Sequence, residues 1–171
     1  MQKNVEPILV LTTGGTIDKV YFDALSDFEV GASMVGELLK EAHVHAPFDV
    51  VGLLRKDSLE LTDEDRSLIA DTVGRHASDR VVITHGTDTM TTTAAVLAAD
   101  ERCRAKTIVL TGALAPARFA QSDATFNVGM AFAAVQTLGA GAYIVMNGQV
   151  FDALRVVKDR SKNRFLEPVV E

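Results

Sequence analysis

One cysteine, Cys103, is all the chain has. An intrachain disulfide and a cysteine-based zinc site are thereby excluded. With no partner motif beside it, Cys103 reads as a space-filling residue near a helix end. Positive charge is also short: 17 Lys and Arg stand against 23 Asp and Glu, for a net charge of −6. That balance argues against non-specific nucleic-acid binding. The one basic cluster, Arg155, Lys158, Arg160, Lys162 and Arg164, is interrupted by Asp159 and reads as a solvated terminal segment. No apolar run is long enough to cross a membrane. Met1 to Pro7 carries no apolar stretch after Lys3, so no signal peptide is expected and the cytoplasm is the default compartment. There is no internal repeat, low-complexity tract or linker. Aromatics are only 6% of a chain that is 47% hydrophobic, with much Ala and Val, a composition usual in packed α/β proteins. A length of 171 residues suits one domain, 1–171, with a real core.

What is present is a series of short apolar runs alternating with helical spacers. Leu9 to Thr12 is β-branched and apolar and stops at Gly14-Gly15. Residues 18–30 show no clean period and read as a long irregular loop. Gly31 to His43 has helical spacing, Pro47 to Leu54 reads as a strand, and Thr62 with Asp65 announces a helix running to about Ser78. Leu68, Ile69, Thr72 and Val73 are expected on its buried face. Strands are expected at Arg80–Thr84, Thr107–Thr111 and Ala142–Met146, with helices at Met90–Ala99 and Asp123–Leu138. From Gln149 the chain is polar and lacks a period. The alternation implies a three-layer α/β fold: a mostly parallel sheet of about five strands flanked by helices.

In such a fold the loops after the strands gather on one edge. That edge collects Thr16, Asp57 with Ser58, Thr87 with Asp88, Ala113, and the segment beyond Asn147. A threonine hydroxyl is a poor nucleophile and needs a base or proton relay. Asp88 could hold a lysine, and that lysine, once neutral, could take a threonine's proton. Lys158 and Lys162 are the candidates. Backbone N–H groups at the Gly15 and Gly86 turns suit an oxyanion or a carboxylate. The set fits acyl transfer at an amide. Alone, Gly14-Gly15-Thr16 is equally a tight turn, and Thr87-Asp88 a helix cap. His85 is expected only to hydrogen-bond its turn. The His43-x-His45 pair lacks a carboxylate partner for a metal.

Thr13-Gly14-Gly15-Thr16-Ile17 and His85-Gly86-Thr87-Asp88-Thr89 resemble the two signature motifs of the bacterial-type L-asparaginases. Val109 to Ala113, followed by Ser122-Asp123 and Asn127, is similar to that family's next block. The resemblance implies a threonine amidohydrolase that needs no metal or cofactor. Thr16 would be the nucleophile, with Thr87, Asp88 and a lysine as the second triad. Counting without gaps from Asn147 reaches Lys158. Tyr21, the only tyrosine of the early loop, would support Thr16. Asp57 and Ser58 would bind the substrate's α-groups together with Asp88. The Gly15 and Gly86 turns and the Ala113 carbonyl would complete the substrate site.

Longer members carry a smaller C-terminal domain that completes a neighbour's site, and this sequence stops at Glu171. The resemblance therefore implies a short form with weaker substrate binding, assembled as a homo-oligomer. L-asparagine is the expected substrate. Glutamine hydrolysis, the amide-hydrolysing part of a tRNA-dependent amidotransferase, and a non-catalytic amino-acid-binding module are the competing readings. No nucleic-acid or membrane partner is expected.

Overall fold

The computed structural model describes residues 6–25 and 27–168; most of the segment read for a signal peptide lies outside them. In chain order the elements are β1 (Ile8–Gly14), β2 (Lys19–Phe22), β3 (Asp27–Val30), α1 (Val35–Glu41), β4 (Phe48–Lys56), α2 (Asp63–Arg75) and β5 (Arg80–Thr84). There follow α3 (Met90–Ala99), β6 (Thr107–Thr111), α4 (Ala124–Thr137), β7 (Gly141–Met146), β8 (Gln149–Asp152), β9 (Val157–Asp159) and β10 (Arg164–Leu166). The main sheet has six strands in the order β4-β1-β5-β6-β7-β8. All neighbours in it are parallel except the last pair, β7 and β8.

Side-chain alternation along the strands divides the core into two. Leu9, Leu11, Val81, Ile83, Ile108, Leu110 and Ile144 face α2 and α3 through Ile69, Val73, Met90, Ala94 and Leu97. Ile8, Val10, Val82, Val109 and Val145 face α1 and α4 through Val35, Leu39, Val128, Ala131, Phe132 and Val135. Both faces of the central strands are thus covered, which is why they read as continuous apolar runs and not as alternating ones. The three layers and the mostly parallel sheet are those expected from the sequence.

Four details differ from the sequence reading. Residues 18–30 are not irregular: β2 and β3 form an antiparallel hairpin in which Tyr21 faces Phe28, their ring centroids 5.5 Å apart. Two four-residue strands are too short to show a period, and the cross-strand aromatic pair supplies the register. The first helix begins at Val35, four residues later than its spacing suggested. On α2, Leu68 is 44% exposed and Thr72 only half-buried, while Arg66 and Ala70 turn inward with Ile69 and Val73. Arg66 is drawn in because its guanidinium donates to the Leu61 carbonyl at 3.0 Å. The tail is ordered too. β8 adds a sixth, antiparallel strand, and β9–β10 form a hairpin whose Phe165 packs with Phe151 on the α2/α3 side of the core.

β4 and β5 flank β1 on opposite sides, so connections leave β1 and β5 in opposite directions. A crevice opens at the carboxyl ends of the strands at such a switch point. Burial of Phe165 is what fastens the β9–β10 hairpin to the body of the fold. Phe165→Ala is expected to lower the unfolding free energy by about 3 kcal/mol, seen as a lower urea midpoint. An unchanged midpoint would show that the hairpin is held without it.

Candidate active site

Two glycine backbones meet in the crevice. Gly15 follows β1 with φ 87°, in the left-handed region that disfavours a side chain. A Cβ added there would overlap the Cα and N of Gly86, and a Cβ on Gly86 would lie 2.6 Å from the Cβ of Ser58. The tips of β1, β4 and β5 are therefore in close contact, with Ser58 packed on Gly86 and Thr16 and Thr87 each one residue beyond the glycine contact. The Gly15 N–H is spent on the Lys56 carbonyl at 2.9 Å. Thr89 closes the third side, its hydroxyl donating to the Ser58 carbonyl at 2.7 Å.

Lys158 reaches this joint from β9. Its Nζ donates to Thr87 Oγ1 and to Asp88 Oδ1, both at 2.7 Å, with only 8% of the side chain exposed. Lys162 instead lies exposed in the β9–β10 turn, its N–H on Asp159. Thr16 is half-buried and opens a single 3-10 turn to Asp18. Tyr21 is not brought to it: the ring is 55% exposed on the hairpin and packs edge-on to Phe28.

Asp57 caps the short turn Ser58–Glu60 by accepting the Leu59 N–H at 3.1 Å, and it pairs with Lys19 at 3.0 Å. Partial burial pushes its carboxyl up, but the Leu59 N–H, Lys19 and the charge of Lys158 together hold it below its ordinary value. His85 is fully buried and pushed down to about 4, chiefly by desolvation. Its Nδ1 lies 2.7 Å from the Gly86 carbonyl, which can only accept, so Nδ1 carries the proton and Nε2 accepts from Thr93 at 2.8 Å. It is a neutral strut for the Gly86 turn.

Ala113 is buried after β6, and its loop is held by a cluster to which the sequence reading gave no role. Asp123 accepts the N–H groups of Leu114 and Ala115 together with the amides of Asn127 and Asn147. Those contacts outweigh its burial and keep the carboxyl below its ordinary value. Asn127 also donates to the Gly112 carbonyl and accepts from the Asn147 N–H, tying β6 to the end of β7. The sequence signals for this cluster were the spacing of Asp123 and Asn127, one helical turn, and their place in the third block of the family resemblance. Among the described residues no group of three or more His, Cys, Asp and Glu side chains is placed to hold a metal, and no helix is long and apolar enough to cross a membrane.

Comparison with known proteins bears on the whole fold. The family model described as "Asparaginase, N-terminal" matches residues 7–165. A probable periplasmic L-asparaginase of Haemophilus influenzae is 30% identical over 160 residues, covering 88% of this chain and 46% of the relative. A glutamyl-tRNA(Gln) amidotransferase component of Pyrococcus furiosus is 30% identical over 161 residues, 88% of this chain and 36% of the relative. The crystal structure of L-asparaginase I from Vibrio cholerae superposes with a TM-score of 0.83 at 26% identity, covering 96% of this chain and 52% of that one. The chain thus spans about half or less of the length of the relatives it matches.

Asp18 closes the turn that Thr16 opens. Its carboxyl is buried with Oδ1 unpartnered, and its carbonyl accepts the Gly31 N–H at the base of the β2–β3 hairpin. Desolvation, opposed by Ser33, Arg118, the Met34 backbone and Arg55, raises it from 3.8 to about 6. The unfolded chain therefore gives up this proton before the folded chain does, and stability falls as pH rises from about 3.8 to about 6. Asp18→Asn, which cannot ionise, is expected to be more stable than the parent at pH 7, on the order of 2–3 kcal/mol, with the gap closing near pH 4. Urea midpoints at the two pH values check this; equal midpoints at pH 7 would contradict it.

Proposed function

The chain belongs to the asparaginase family, and from that footing we propose that it hydrolyses L-asparagine to L-aspartate and ammonia through Thr16. The observation that carries the reading is the Lys158 ammonium bridging Thr87 and Asp88, one residue past the point where Gly86 touches Gly15. Threonine, relay and carboxylate then face one crevice, as a two-step displacement at an amide requires.

Thr16 Oγ attacks the side-chain carbonyl carbon of asparagine. The tetrahedral oxyanion is met by backbone N–H groups at Thr16 and Thr87, since that of Gly15 is committed elsewhere. The proton given up by Thr16 Oγ passes to the nitrogen, which leaves as ammonia, and an aspartyl ester remains on Thr16. Water, oriented by Thr87 within the Thr87–Asp88–Lys158 relay, attacks the ester, one of its protons returns to Thr16 Oγ, and aspartate is released. Asp57, Ser58 and Asp88 hold the α-groups, and the Ala113 carbonyl accepts from the amide nitrogen. Tyr21 assists Thr16 after the β2–β3 hairpin swings inward about its base at Asp18 and Gly31. No step calls for a metal or cofactor.

A 27% identical relative from Pseudomonas aeruginosa named glutaminase-asparaginase favours glutamine as a second substrate to be tested beside asparagine. The reading further takes 1–171 as one catalytic domain, working in the cytoplasm as a homo-oligomer whose second copy covers the open side of the crevice. The triad itself is drawn from one chain, because Lys158 meets Thr87 and Asp88 of its own fold.

Ammonia release from asparagine and glutamine tests the reading directly. Thr16→Ala and Lys158→Met are each expected to lower kcat by about 10³ or more, and mixing the two variants should restore nothing. Thr16→Ala retaining a tenth of the parent rate would overturn the assignment, and recovery on mixing would show a site shared between chains.

A further inference from the structure

Of the charged side chains at the crevice, Lys158 and Asp88 are committed to each other. Lys158 is buried against Thr87 and Asp88. That leaves the pair Lys19–Asp57, 3.0 Å apart with each side chain about 30% exposed. It lines a cleft of about 510 Å³ together with Glu29, Arg55 and Glu60, and Asp57 lies close enough to the crevice to feel the charge of Lys158. Both partners are anchored to the Thr16 turn. The Lys19 N–H bonds the carbonyl of Thr16 itself. Asp57 follows Lys56, whose carbonyl takes the Gly15 N–H. The backbone of Lys19 is thus tethered beside Thr16.

A free amino acid presents the same two charges as this pair, in reverse and carried on one carbon. We propose that Lys19 receives the substrate's α-carboxylate. The zwitterionic head enters between the pair, its ammonium turning to Asp57 and Asp88. This rests on the hydrolase reading above and deepens it by assigning the cation that reads the α-carboxylate. A half-solvated ion pair costs little to open. Two charge-assisted hydrogen bonds replace one, and the crevice keeps its charge balance. Without Lys19 the carboxylates of Asp57 and Asp88 would face the substrate with Arg55 as the one cation not already engaged, since Lys158 is held by Thr87 and Asp88. The site then demands a free α-carboxylate and discriminates against substrates in which that group is an amide.

Lys19→Gln, Lys19→Arg and Arg55→Gln are compared with the parent on L-asparagine and on its α-N-methylamide, whose only primary amide is the side-chain one. Lys19→Gln is expected to raise KM for asparagine about ten- to a hundredfold, with kcat changed less than threefold and no further loss on the N-methylamide. Lys19→Arg should recover most of the affinity. The inference is overturned if Lys19→Gln leaves KM within twofold of the parent, if it weakens both substrates equally, or if Arg55→Gln has the larger effect. Calorimetric titration of L-aspartate reads the same contact without turnover: Lys19→Gln should bind it at least tenfold more weakly, and equal affinities overturn the inference. Absence of ammonia release in the parent protein would instead count against the hydrolase reading, leaving the titration to decide on Lys19.

Discussion

The site depends on one contact, that between the backbones of Gly15 and Gly86. Strands β1 and β5 are neighbours at the switch point of the sheet, and Thr16 and Thr87 lie just beyond their tips. A side chain at either glycine would push the tips apart: at Gly15 into the Gly86 backbone, at Gly86 into Ser58. The close approach of the Gly15 and Gly86 backbones, one residue before Thr16 and Thr87, is therefore a consequence of missing Cβ atoms. Preorganisation of this kind lets donors and charges act without moving when the reaction demands them.

Around that contact the polar groups are held from behind. His85, neutral and wholly buried, supports the Gly86 turn. Asp123, Asn127 and Asn147 bind the Gly112–Ala115 segment to the end of β7. Lys158 arrives on a hairpin pinned by Phe165. The β2–β3 hairpin differs: several of its side chains are exposed, among them Tyr21, Phe22 and Phe28. A rigid floor and a lightly packed flap suit a site that must admit and then enclose a small polar molecule.

Much of this was legible in the letters. Central strands covered on both faces must be apolar throughout, so β1, β5, β6 and β7 stood out, and the glycines and hydroxyls that end them followed. The two motifs on which the family resemblance rests lie at those ends. Less legible was whatever depends on pairing between short segments. The β2–β3 hairpin, the edge strand β8 and the β9–β10 hairpin have no period long enough to read. Leu68 was misplaced because the inward pull on Arg66 sets the phase of α2. Lys19 gave no local signal, for its partner Asp57 lies far along the chain and meets it only in the folded state. Asp18 looked like a loop residue until its carboxyl proved to be buried.

The chain spans about half or less of the relatives it matches, so how much of their chemistry it keeps rests on groups within residues 7–165. The most direct measurement is mass spectrometry of peptides from protein quenched in acid during turnover of L-asparagine. An aspartyl ester on the peptide that contains Thr16, absent from Thr16→Ala, is the predicted result. The same ester on Thr87 or any other side chain would contradict the placement of the nucleophile at the tip of β1.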